Sequence, residues 1–207
     1  MALPANALTS LQTVKDELGI GAGDNSVDAK LERLVGVASN AIEKFCNRKF
    51  ARQTETNARV AGYGTPRLTL DRTPIVSITS ISLDNETVDP SEYYVEDADI
   101  GWVHRQDSSW EWTQPAGGER GYVPEERRYL VTYVGGYYLP WDEAHTRDLP
   151  YEIEEACLIA VVSRFRASGK HANAQAETQE SGGTPWFDMT LPVSARQLLE
   201  PYRRPPV

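Results

Sequence analysis

Apolar residues recur at two different periods along this chain, and the change of period divides it into three parts. In the first, Leu11, Val14 and Leu18 fall at helical spacing behind Thr9 or Ser10, either of which can accept a hydrogen bond from the first free N–H groups of a helix. Gly19 then stands where a left-handed residue ends a helix. Gly21 to Asn25 reads as a connection. A longer helix is expected to start at a cap supplied by Asn25 or Ser26. Its residues Val27, Leu31, Leu34, Val35, Ala38, Ala41, Ile42 and Phe45 make one broad apolar face, with Asn47 near the end.

From Phe50 to about Tyr138 the helical period is absent. Short runs rich in β-branched and aromatic residues alternate with Pro, Gly, Asp and Asn, which predicts strands over Gln53–Val60, Arg67–Leu70, Ile75–Leu83, Tyr93–Val95, Gly101–His104 and Arg128–Val134. Turn residues collect at Gly62–Pro66, Asp84–Glu86 and Pro115–Gly121. Ile75, Ile78 and Ile81 lie three apart, not two, which fits a bulge or a less regular segment there.

The third part opens on Asp148, Leu149 and Pro150, read as cap, staple and first-turn proline. The helix that follows carries Ile153, Ala156, Cys157, Ile159, Ala160, Val161, Val162 and Phe165 and is apolar nearly all round. It is therefore expected to be covered on more than one side and to end near Gly169. Lys170 to Thr184 has no apolar period and reads as a mobile linker or an interaction loop. A last short helix, Val193–Leu199, precedes Pro201. The expected fold class is α+β, with a helical-bundle core from residues 1–50 and 139–207 and a β-rich insertion over 51–138.

Composition narrows the function classes. A chain of 207 residues that is 40% hydrophobic, with ten Tyr and five Trp, can build a packed interior. No run approaches the roughly 20 apolar residues of a spanning helix. Met1 to Leu8 lacks the charged-then-apolar pattern of a secretory signal, so the expectation is a protein made and kept in the cytoplasm, away from membranes. The formal charge of -9 argues against a protein that wraps nucleic acid through a basic stripe. The acid is concentrated in the middle, where residues 51–148 hold nine basic and seventeen acidic groups. Cys46 and Cys157 each sit in a helical stretch and read as small buried hydrophobes, with contact between them left open.

Catalytic chemistry is not visible. There is no glycine loop with a phosphate-binding Lys, no nucleophile elbow, and no Cys or His pair at metal-ligand spacing. His104, His145 and His171 are isolated and read as surface residues. The acids of Glu92–Asp99 fit no calcium loop and read as solvated. No cofactor is expected. Among the aromatics, Trp102 is expected in a core, whereas Trp110 and Trp112 alternate with Ser109, Glu111 and Thr113 and would share one strand face as a contact surface for protein or sugar.

The two terminal parts resemble the head-tail connector (adaptor) family of tailed bacteriophages and related gene transfer particles. The first match is Leu8, Thr9, Leu11, Val14, Lys15, Leu18, Gly19 and Ile20, then Asp28, Leu31, Leu34, Ala38, Ile42, Glu43, Phe45, Cys46, Arg48 and Phe50. The second is Val131, Thr132, Tyr133, Gly135, Gly136 and Tyr137, leading through Leu149-Pro150 to Ile153 and Ala156. The third is Leu191-Pro192, Leu198, Leu199, Pro201, Tyr202 and Arg203. Order and combination carry the likeness, and the acidic β-rich middle departs from the smaller, nearly all-helical members.

The resemblance implies a structural, non-enzymatic virion subunit at the neck. It would form a ring, dodecameric in the particle, between the portal protein and a stopper or tail-completion protein, with DNA passing through the lumen without specific binding. A net acidic subunit suits such a channel. Ring closure needs one face of a subunit to meet a different face of its neighbour, and the two long helices are the candidates, through Leu31, Leu34, Ile42, Phe45, Ile153, Ile159, Val162 and Phe165 as interface or core. The C-terminal segment is expected to dock on the portal through Leu198, Leu199 and Tyr202, with Arg203 and Arg204 contacting acids. The alternative is that this helix packs back on its own core. Two other readings are a stopper or tail-completion protein, expected to be mainly β, and a carbohydrate- or protein-binding module built on the Trp-rich insertion.

Overall fold

Four α-helices and seven β-strands make up the described residues, 3–113, 128–174 and 191–204, of the computed structural model. They divide into two compact units, Met1–Asn47 with Tyr138–Val207, and Arg48–Tyr137.

In the first unit, helix α1 (Leu11–Leu18) is capped by Ser10, whose Oγ accepts from the Thr13 N–H at 3.0 Å, and closes on Gly19 at φ +68°. Thr9, the other candidate cap, is buried and donates its hydroxyl to Glu154 at 3.3 Å. Helix α2 (Asp28–Cys46) differs from expectation at its start. Val27 occupies the cap position with no side-chain hydrogen bond. The Ser26 N–H is instead taken by Asp24 at 2.9 Å in a local turn, and Asp28 in the first helical turn favours the helix N-terminus by charge. Asn47, at φ 50°, ends the helix as read.

Helix α3 (Tyr151–Ala174) runs past Gly169. The residues after that glycine, Lys170 to Ala174, include good helix formers, and a single glycine costs a helix only about 1 kcal/mol. The rest of the expected linker lies outside the described residues. The Asp148 carboxylate, read as a cap for α3, accepts from the Tyr138 N–H at 2.6 Å. Helix α4 (Val193–Leu199) packs on α3, which also meets α1 and α2. Leu8, Val14, Leu31, Val35, Ala38, Ile42, Ile153, Ala156, Ala160 and Leu199 are fully buried, each apolar side chain of Leu size contributing about 2 kcal/mol by removal from water. Cys46 and Cys157 are buried and not joined in a disulfide, and Cys157 lies 3.8 Å from the Ser39 hydroxyl. Burial pushes the Cys157 thiol up to about 12.

The second unit holds two antiparallel sheets. One has the order β1 (Gln53–Val60), β7 (Tyr129–Gly135), β3 (Ile75–Leu83), β4 (Glu86–Thr87); the other has β2 (Arg67–Thr69), β6 (Trp102–Arg105), β5 (Tyr93–Asp97). The expected irregularity in β3 is present, with register shifts between Ile75 and Ser77 and between Ile78 and Ser80. The turn read over Asp84–Glu86 is tighter than expected. Asp84 and Asn85, at φ 52° and 68°, form a two-residue hairpin turn, and Glu86 already belongs to β4.

Leu68, Val103 and Tyr93 from the smaller sheet meet Ile81, Val131 and Tyr133 from the larger one in a single core. Trp110 fills it. It is fully buried, stands edge-on to Tyr129 at 5.2 Å, and donates its indole N–H to the Val103 carbonyl at 3.1 Å. The shared strand face read for Trp110 and Trp112 is therefore corrected: residues 109–113 form no strand, and Trp112 is 45% exposed against Tyr63. Trp102, expected in the core, is half-buried, with the Arg67 guanidinium 4.4 Å above its ring.

Candidate functional site

The C-terminal segment is tied to its own helical unit. Leu199 is fully buried and Arg204 nearly so, the Arg204 N–H reaching the Cys46 carbonyl at 2.9 Å. Tyr202 donates its hydroxyl to Glu152 of α3 at 3.2 Å, and the Arg203 guanidinium lies 5.4 Å from the Phe45 ring centre at the end of α2. Of the five residues read as portal contacts, Leu198, Tyr202 and Arg203 reach the surface, while Leu199 and Arg204 are spent on internal packing. The reason is spacing: in a seven-residue helix with Ala195 and Leu199 turned inward, only one side remains for another partner.

The residues read as ring interface or core separate in the same way. Leu31, Leu34, Ile42, Ile153 and Val162 are buried, whereas Phe45, Ile159 and Phe165 are half-buried. Phe165 is covered by the Lys30 ammonium at 4.8 Å. Ile159 lies instead in a groove of about 510 Å³ along the outer face of α3, with Leu158 and Val162 on its apolar floor and Glu17, Glu155 and Arg166 around it. Glu17, Leu158 and Arg166 were not singled out from the sequence. The available signal was the all-round apolar character of α3, which leaves a second side to be covered.

The acids of Glu92–Asp99 are largely matched. Arg105 reaches Glu92 at 2.7 Å, and Arg67 makes a two-pronged contact with Glu96 at 2.7 and 2.5 Å that holds this carboxyl below its ordinary range. Asp97 accepts from the Ile100 N–H at 2.9 Å. Among the described residues no three His, Cys, Asp or Glu side chains are placed to hold a metal ion. His104 lies 3.4 Å from Glu96, and His145 pairs with Asp142 at 2.9 Å while stacking on Tyr138. The side chain of His171 and the Pro115–Gly121 turn lie outside the described residues. Among those residues no helix is long and apolar enough to cross a membrane.

Comparison with known families bears on the role of the chain. A model of the head completion protein family matches residues 7–118, more than half of the chain, from α1 through β6. The chain belongs to that family. As a head completion protein it is a structural component of the head-tail junction of phage-type particles. The chain is also similar over its whole length to three chains of known structure, each covered to 94%. One is in the neck of an empty gene transfer agent particle computed with C6 symmetry (18% identity, TM-score 0.56). A second is in the virion of the native gene transfer agent particle (17%, TM-score 0.53), and a third in the native neck computed with C12 symmetry (16%, TM-score 0.50). Identities this low speak for a shared fold. No curated protein matches the sequence.

Proposed function

We propose that this head completion protein is a head-tail connector subunit that assembles as a ring, dodecameric in the particle, at the virion neck between the portal and a stopper or tail-completion protein. The observation that carries the reading is the family match over residues 7–118, and the full-length likeness to chains of gene transfer agent necks supports it. The helical parts, 1–50 and 139–207, act as a helical-bundle core that positions the ring contacts, while 51–138 forms a separate β-rich platform. DNA passes through the lumen of a net acidic ring that offers phosphate little attraction. The chain is read as a non-enzymatic scaffold.

Leu198, Tyr202 and Arg203 form the portal-facing patch, with Leu199 and Arg204 fixing it from beneath. The likeness to neck chains favours the connector over a binding module, since both units of this chain are covered by it. Removing the gene from producing cells should yield DNA-filled heads without tails. Tailed, infectious particles in its absence would overturn the proposal. Leu198→Ser with Arg203→Glu should lower portal attachment at least tenfold in a pull-down while the circular dichroism spectrum stays unchanged, and undiminished attachment removes the patch from the account.

A further inference from the structure

The groove on α3 has an unusual complement elsewhere on the same helical unit. Its long axis is set by Glu155, Ile159, Val162 and Arg166, spaced four, three and four residues apart and therefore on one stripe of the helix. The outer stripe of α2 has the same spacing: Arg33, Val37, Asn40 and Lys44 are all exposed, with Val37 at 40%. Each stripe spans about 16 Å at 1.5 Å per residue. The α3 stripe places Ile159 and Val162 between charged ends, and the α2 stripe places Val37 and Asn40 between two cations. The charges are complementary in sum, because the groove carries two carboxylates, Glu17 and Glu155, against the single guanidinium of Arg166, while the α2 stripe carries two cations and no acid. The opposite face of α2 is buried, and α3, buried on most sides, leaves Glu155 and Arg166 exposed and Ile159 half-buried along the groove.

We infer that the outer stripe of α2 in one copy seats in the α3 groove of the next copy. This rests on the ring proposed above and identifies its interface. The arrangement has two different faces on every subunit, as a closed ring of more than two copies requires; a symmetric α3-to-α3 contact would instead close a dimer. Val37 meets Ile159 at the centre, beside Leu158 and Val162, in the register that brings one α2 cation to the Glu155 end of the groove.

A cysteine cross-link in assembled necks tests this. Val37→Cys and Ile159→Cys are introduced together and separately; the native Cys46 and Cys157 are buried and do not compete. Particles or portal-bound rings are first checked by electron microscopy and then oxidised briefly. The double variant should give a ladder of covalent oligomers rising past the dimer on a non-reducing gel, and each single variant should stay monomeric. Intact rings without a ladder would overturn the interface while leaving the ring standing. A covalent dimer from either single variant would mean a symmetric contact and also overturn it. Occupation of the groove by residues 175–190 of the same chain would appear as rings without a ladder. If no ring forms with the unsubstituted protein, the connector reading fails, and the interface with it.

Discussion

Replacing Trp110 by alanine removes the largest fully buried side chain of the β-rich unit. Loss of a buried Trp costs about 3–5 kcal/mol through lost transfer energy and the cavity left behind. The Val103 carbonyl also loses the indole N–H that satisfies it at 3.1 Å, adding on the order of 1 kcal/mol. The edge-on contact with Tyr129 disappears as well. The expected total is about 4–6 kcal/mol, a large part of what a small unit has to lose. Trp110→Phe retains much of the ring packing and should cost about 2 kcal/mol. Trp112→Ala, two residues away but 45% exposed, should change stability by less than about 0.5 kcal/mol. Because the chain has two units, a single unfolding curve need not describe it. Hydrogen exchange of β3 and β7 amides under native conditions reads the opening energy of this unit directly. Equal losses for the two alanine variants, or a loss below about 1 kcal/mol for Trp110→Ala, would refute the assignment of Trp110 as the central packing residue.

Other perturbations probe the remaining structure. Ser10→Ala removes the α1 cap and should lower the stability of the helical unit by about 1 kcal/mol in urea denaturation, with no change expected in the β amides. Gly136→Ala should cost more than about 2 kcal/mol in the same assay. Gly136 has φ +93°, and a Cβ there would lie 2.5 Å from the Ala51 carbonyl oxygen. Cys157 should resist alkylation at pH 8 in the folded protein and label only on unfolding, as peptide mass mapping would read. Its folded thiol ionises at about 12, above the unfolded value of about 8.5, so this group's contribution to stability should fall as pH rises through that interval.

Much of the helical unit was legible because its periods are strong. Leu11, Val14 and Leu18 with Ser10 and Gly19 state a start, a face and a stop within ten positions, and α1 occupies them. The start of α2 was harder, since Asp24, Asn25 and Ser26 are all good caps and the local Asp24 turn decides against the obvious ones. Gly169 was read as a stop by residue type alone, although its neighbours continue the helix. In the β unit, the strands were legible but their partners were not. The register that places β7 between β1 and β3 joins residues from 48 to 82 positions apart, and no local pattern reports it. Trp110 was misplaced because alternation in Ser109–Thr113 imitates a strand, while the real constraint is the Val103 carbonyl that its indole reaches. As for the assembly surfaces, apolar spacing marks a position for burial without saying by what. Leu31 and Ile159 look alike in sequence, and only the packed helices show that one is inside and the other is left at the surface.

The most direct test of the central claim is cryo-electron microscopy of the neck of particles assembled with this protein. The account predicts a twelve-membered ring of this chain seated against the narrow end of the portal, with its Leu198, Tyr202 and Arg203 patch at the contact. A neck fully accounted for by other subunits, or this chain found elsewhere in the particle, would contradict it.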